Sequence, residues 1–407
     1  MTTRPETLSL FDVDVLSDDE VALQLGVPNT PEQRPTASPP IIDGEKKRAG
    51  HRGDLPPKAP HDSAPFLSAP TDQPDLFASL PEYDLLPAEW QGKMLRSWGA
   101  DDRYVPIEIA ISAVFTIGNN QVPRLSFNRE RIPILNNSYD LYYTGLELRQ
   151  PDELIFLQLL HLNRGRQPLG SPVLFKPSAF LKELDLKPAT ANYEHLKQAM
   201  HRLQATTLEL YSHKYKKSKT FRFVCHFDFE DENHHPLPLW KVVLDPRLFY
   251  LLHGRYHARM SFRRRKMLGS GLASKLHSYF ACHRAPIDRN INDYFRLCVG
   301  QEEALLQRFM QQRRLKRTSA DSLVAANKAV AQKRRDFRRD MEEALQRLCS
   351  PEIGFLTSYR FYKLGDEVFV GVERPTGAGL AETLEQLQDD AILAHEVLSE
   401  QSHGLHG

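Results

Sequence analysis

Between Pro151 and Glu230 the polarity period changes from helical to extended in a fixed order, and a looser version of that order returns between Gly271 and Arg374. A chain that switches period twice in the same way is constrained to build two like modules. In the first copy, PDELIFLQLLHLN predicts a helix, with Pro151 in its first turn and Leu154, Leu157 (or Gln158) and His161 at helical spacing. VLFK follows as a short strand, and SAFLKELDL as a short helix capped by Ser178. NYEHLKQAMHRLQ then sets Tyr193, Leu196, Met200 and Leu203 on one helical face. TTLELYSH and FRFVCHFDFE read as strands, the second alternating with Phe221, Phe223, Cys225, Phe227 and Phe229 on one side.

The connector between those strands is KYKKSK, four lysines in six residues. Helix, turn, helix and a basic-tipped hairpin is the layout of a winged-helix DNA-binding domain. In the second copy GLASKLHSYFACH and INDYFRLCVG predict helices. SADSLVAANKAVAQKRRDFRRDMEEALQRL predicts a long helix striped by Phe337, Met341, Leu345 and Leu348. GFLTSYRFYKLG and DEVFVGVER read as strands around a turn at Gly365 and Asp366, and helical material between Gln301 and Val330 exceeds what a minimal domain needs. The expected fold is α+β: tandem winged-helix domains with a disordered N-terminal arm and an acidic C-terminal tail. The expected boundaries are an arm over 1–89, a strand-rich lead-in over 90–150, domains over 151–252 and 253–374, and a tail over 375–407.

The net charge of +1 conceals a segregation: Met1–Asp102 carries −9, Arg103–Arg374 carries +16 and Pro375–Gly407 carries −6. A basic body between acidic ends points to a polyanionic partner. Prolines crowd residues 26–88 without an apolar period, so that segment is expected to be disordered. Cys225, Cys282, Cys298 and Cys349 lack CxxC spacing, which fits reduced thiols. MTTRPETLSLFDVD is not a signal peptide, and IEIAISAVFTIG is too short to span a bilayer, so a cytoplasmic protein with no membrane partner is expected.

The run YYTGLELRQPDELIFLQLLHLNRGRQPLGSPVLFKPSAFLKELDL, then NYEHLKQAMHRLQATTLELYS, LHGRYHARM, ASKLHSYFACHRAP and KRRDFRRDMEEALQRL, resembles plasmid replication initiators of the TrfA type from about Tyr104 to Arg374. The resemblance implies a protein that binds direct repeats (iterons) at a plasmid origin and opens adjacent AT-rich DNA, with single-stranded origin DNA as a further ligand. It also implies recruitment of host replication proteins, among them a replication initiator and a replicative helicase. A monomer–dimer equilibrium that restrains copy number is a further implication.

Base contacts from the first domain are expected from Lys197, Gln198, His201 and Arg202, which share a helix face, and backbone contacts from Lys214, Lys216, Lys217 and Lys219. In the second domain Lys328, Lys333, Arg334, Arg335, Arg338 and Arg339 form the densest basic run, with Arg334, Arg335, Arg338 and Arg339 outermost. RRRK, Arg263–Lys266, is either a backbone contact or a solvated loop.

In the arm, QPDLF supplies Gln73, Asp75, Leu76 and Phe77 in the pattern of peptides that enter the pocket of a bacterial sliding clamp, with Pro74 departing from it. TLSLF adds Leu10 and Phe11 without the leading glutamine. No metal, cofactor or enzymatic activity is expected. HHPLPLW and HSYFACH lack the spaced ligands of a nicking site, no GxxxxGK[ST] loop is present, and Cys282-His283 with Cys298 reads as packing. The rival reading is a transcriptional regulator with the same two domains and no replisome recruitment.

Overall fold

The computed structural model describes residues 95, 98–118, 122–165, 168–252, 257–283, 287–312 and 320–375, all within one compact unit. The clamp-like peptides, the proline-rich arm and the acidic tail lie outside the described residues. The fold mixes helix and strand. A lead-in of β1 (Asp102–Pro106), α1 (Ile107–Ala110), β2 (Phe115–Thr116), β3 (Ser126–Ile132), β4 (Tyr139–Leu146) and β5 (Leu148–Arg149) precedes the first module.

That module runs α2 (Gln150–Asn163), β6 (Pro172–Phe175), α3 (Pro177–Glu183), α4 (Thr190–Ala205), β7 (Thr207–Ser212), β8 (Lys217–Arg222), β9 (Val224–Glu230), β10 (Pro236–Leu244) and α5 (Leu248–Leu252). Pro151 suits the first turn of α2, where its missing N–H costs nothing, and the Asp152 carboxylate accepts from the Arg149 amide at 2.8 Å. Every residue of α2 except Leu162 is buried, as an apolar helix wrapped on all sides requires. In α4 the stripe Leu196, Met200 and Leu203 is buried together with Ala199, and Tyr193 is half-buried.

The strand that FRFVCHFDFE predicts is two strands. β8 ends at Arg222 and pairs with β7 in the antiparallel sheet β3–β4–β7–β8, whereas β9 starts at Val224 and joins β6–β10–β9. Consecutive residues Phe223 and Val224 both enter the core, which strict alternation forbids, so the chain bends between them. Phe223 stands 5.4 Å from the Phe115 ring and 4.7 Å from Phe156, and Cys225, expected on the apolar side, is exposed. The lysine-tipped hairpin therefore does not belong to the three-stranded sheet of its module. The hairpin of that sheet is β9–β10, whose tip is Asp231–His235.

The second module runs β11 (His257–Ser261), α6 (Phe262–Leu268), α7 (Leu272–Ala281), β12 (Ile287–Asn290), α8 (Ile291–Val299), α9 (Glu302–Gln312), α10 (Ala320–Cys349), β13 (Ser358–Leu364) and β14 (Glu367–Glu373). Its sheet has the order β12–β14–β13, so the first strand pairs with the last and the last with the middle, as in β6–β10–β9. Helices α7, α8 and α10 occupy the places of α2, α3 and α4 in that connectivity. Phe337, Met341, Leu345 and Leu348 anchor α10, and Gly365, at φ +61°, makes the β13–β14 turn. The extra helical material is α9, packed on α10.

The modules have separate cores, the first around Phe156, Met200 and Trp240 and the second around Tyr279, Phe295 and Leu345. β1 and β11 pair antiparallel across them, Tyr104 opposite Arg259, with Tyr104 stacked between Trp98 at 4.7 Å and His257 at 4.4 Å. Among the described residues no helix is long and apolar enough to cross a membrane.

Candidate nucleic-acid interface

A helix half-sunk in its own core can offer only the residues on its far side, so the candidate contacts sort by where each side chain ends. On α4 the exposed face carries Glu194, Gln198 and His201. His201 lies edge-on to Phe227 and Phe229, at 5.5 and 5.3 Å. Burial and then the neighbouring Lys197 hold its pKa below the usual imidazole value, so it is neutral at pH 7. Lys197 is half-buried: its ammonium is 3.0 Å from Glu230 on β9 and 4.3 Å above the Phe229 ring.

Arg202 does not join that face. Its guanidinium reaches Asp152 at 2.7 Å, and Arg124 takes the other carboxylate oxygen at 2.7 Å. Burial opposes ionisation of Asp152, but the two arginines outweigh it and hold its pKa at about 2. A fully buried carboxylate in the first turn of α2 requires a cation, and Arg202 supplies it in place of a base contact.

Lys214, Lys216 and Lys217 are exposed at the β7–β8 tip, Lys214 5.1 Å over the Tyr215 ring and Lys216 at φ +53° in the turn, while Lys219 is half-buried. The tip beside α4 is acidic. Asp231 accepts from the amides of Asn233 and His235 at 2.8 and 2.9 Å, and Glu230 and Asp231 pair with His234 and His235 at 3.7 and 3.5 Å.

On α10, Lys328, Lys333, Arg334, Arg335, Arg338 and Arg339 are all exposed. Arg334 pairs with Glu302 of α9, Arg335 donates to Gln332 at 2.6 Å, and Arg339 meets Asp340 at 3.2 Å and Glu343 at 3.8 Å. Lys333 stands 3.9 Å from Asp340, and the Arg338 guanidinium lies 5.7 Å over Phe361 on β13, tying helix to hairpin. Sequence reasoning missed Arg360 and Lys363 on β13, both exposed, the former 3.2 Å from Asp288. Their signal was two basic residues three apart in a strand read only for its pattern. In RRRK, Arg263 and Arg264 are exposed on a recess of about 580 Å³ shared with Arg259, Asp101 and Asp102. Arg265 is instead buried, and Lys266 pairs with Asp185 at 2.9 Å. Among the described residues no group of three or more His, Cys, Asp or Glu side chains could hold a metal ion.

Residues 92–324 match the family model described as TrfA protein, a segment that takes in the whole first module and stops just inside α10. The chain is 26% identical over 216 residues to the plasmid replication initiator protein TrfA of Escherichia coli, covering 53% of this chain and 56% of that relative, so it spans just over half the relative's length. Two crystal structures of RctB domains 2 and 3 superpose with TM-scores of 0.39 and 0.38 at 13% and 14% identity, over 66% of this chain and 98% and 97% of theirs. The family match covers more than half of the sequence: this chain belongs to the TrfA family of plasmid replication initiators.

Proposed function

We propose that the chain initiates plasmid replication by binding direct repeats at the origin through two winged helices, acting by binding and not by catalysis. The observation that carries this reading is the doubled connectivity, β6–β10–β9 and β12–β14–β13, each sheet completed by a helix with an exposed polar or basic face. α4 and α10 are the recognition helices. Gln198 and His201 meet base edges from α4, and the α10 arginines supply base and phosphate contacts.

The β13–β14 hairpin, with Arg360 and Lys363, is the wing of the second module and holds the backbone. In the first module the acidic Asp231–His235 tip is unsuited to phosphates, so the β7–β8 lysines take that part. Two recognition helices one turn of DNA apart cover roughly 15–20 bp. Opening of AT-rich DNA, recruitment of the sliding clamp through Leu76 and Phe77, and action in the cytoplasm complete the proposal. A regulator with the same domains would bind equally well but support no replication.

The test places the direct repeats beside the gene on a plasmid with no other origin. Replication only when this protein is supplied is the expected result. In vitro, neutralising on the order of 6–10 phosphates lowers affinity about 10³–10⁵-fold between 50 and 200 mM salt. An affinity for the repeats that does not change with salt would refute the proposed interface.

A further inference from the structure

The first turn of α2, with Glu147 just before it, is where the two modules are wired together. Glu147, Gln150, Asp152 and Glu153 are each at most 1% exposed, and five arginines converge on them. Arg124 and Arg202 hold Asp152, Arg202 arriving from the proposed recognition helix. Arg149 reaches Glu147 at 2.9 Å, and Arg308 of α9 pairs with the same carboxylate. Arg265 of α6 reaches Glu153 at 3.1 Å and the Gln150 side-chain oxygen at 2.7 Å. Its other nitrogen donates to the Gly269 carbonyl at 2.8 Å and the Ser274 hydroxyl at 2.5 Å, so it is anchored in the second module as it grips the first.

Apolar contact between the modules comes from a small cluster of Val105, Ala110, Leu157, Ala258 and Met260 and from Phe262 of α6, which joins the first core. Such contact is non-directional and sets a distance more than an angle. The β1–β11 ribbon has two strands, and an isolated pair of strands twists easily. Charge-assisted pairs to guanidinium groups are directional. Lys266 to Asp185 and Lys275 to the Ser112 carbonyl add directional contacts, but Arg265 and Arg308 reach the most buried carboxylates of the ion pairs at this junction, and the turn that Arg265 grips also holds Arg202 and with it α4.

We infer that Arg265 and Arg308 are positioning residues that fix the spacing of DNA the two recognition helices accept. This rests on the DNA-binding reading above. Shifting one half-site by one base pair moves it about 3.4 Å along the axis and turns it by about 35°, which a fixed junction cannot follow.

The full chain is first used to enrich its preferred sequence from a library of random 30-bp duplexes. Binding is then measured on that sequence and on versions with one base pair added to or removed from its centre. The wild type should prefer the enriched spacing by about 10-fold or more, within the range of one mismatched pair. In Arg308→Gln and in Glu147→Gln the preference should shrink to about 2–3-fold, with Arg308→Lys restoring part of it. Arg308 is half-buried, and Glu147→Gln tests the same pair should the arginine variant not fold.

An unchanged preference in the folded variants, or binding weakened equally on all three duplexes, would overturn the inference and leave DNA binding standing. A wild type with no spacing preference overturns it as well. If no sequence is enriched, the DNA-binding reading fails and the inference with it.

Discussion

Replacing Glu108 by glutamine should leave stability at pH 4.5 nearly unchanged and raise it at pH 8. Glu108 sits in α1 at 6% exposure, and its Oε2 has no hydrogen-bond partner in the structure. The buried Lys275 ammonium on neighbouring α7 is directed elsewhere, donating to the Ser112 carbonyl at 2.6 Å and to that of Ala110 at 3.4 Å. Burial pushes the Glu108 pKa from 4.5 to about 7. The folded protein thus keeps a proton that the unfolded chain releases. The stability tied to that proton is complete below about pH 4.5, falls as pH rises to about 7, and stays lost above it. Multiplying the shift by 1.36 kcal/mol per unit gives a loss of about 3 kcal/mol, with about 2 kcal/mol already gone at pH 6. Glutamine keeps the shape and cannot ionise. Urea unfolding of both proteins, followed by far-ultraviolet circular dichroism from pH 4.5 to 8, measures the difference, in which all other titrations cancel. A gap between variant and wild type that stays constant over this range would refute the assignment of a protonated carboxyl.

The opposite limb belongs to His277, whose ring nitrogens both lack partners and whose pKa burial lowers to about 3. Its contribution is present above about pH 6.5 and is lost as pH falls towards 3, so His277→Phe should flatten the acid side of the same unfolding profile. Asp152→Asn leaves Arg124 and Arg202 facing a neutral amide and should destabilise the fold by about 3–5 kcal/mol in urea titrations. Changing Lys214, Lys216 and Lys217 to alanine should reduce the salt slope of repeat binding by up to about 3 while leaving sequence preference intact. Gln198→Ala should cost about 1–3 kcal/mol on the preferred duplex and relax the choice at one base pair, as read by competition with single-base variants.

Helices α2, α4, α7 and α10 were legible because each buries a single stripe or, in α2 and α7, nearly every residue. The Leu196, Met200, Leu203 and the Phe337, Met341, Leu345, Leu348 series end where the helical period places them. β12 was missed because four residues, IDRN, carry too little pattern to separate from a turn, and pairing with β14 defines it. The bend at Phe223 was invisible for a different reason: aromatic alternation continues through it, and the change of sheet is dictated by Phe115 and Phe156, distant in sequence. The charge of the lysine tip could be read, but its sheet membership depended on that bend. Arg202 sits one turn beyond Gln198, yet a carboxylate 50 residues earlier claims it. The available clue was Asp152 itself, an acid leading an apolar helix and in need of a partner.

A helix with no outward side also controls how water reaches the middle of the molecule. Solvent cannot meet the α2 backbone by fraying one surface, since α4 and the strands β1, β2 and β5 pack around it. Its amide protons can be traded for deuterium only when the surrounding elements part together. The slowest-exchanging segment of this protein should therefore be 154–160, a clock for the rarest excursion the fold makes and not for the motions of its exposed hairpins.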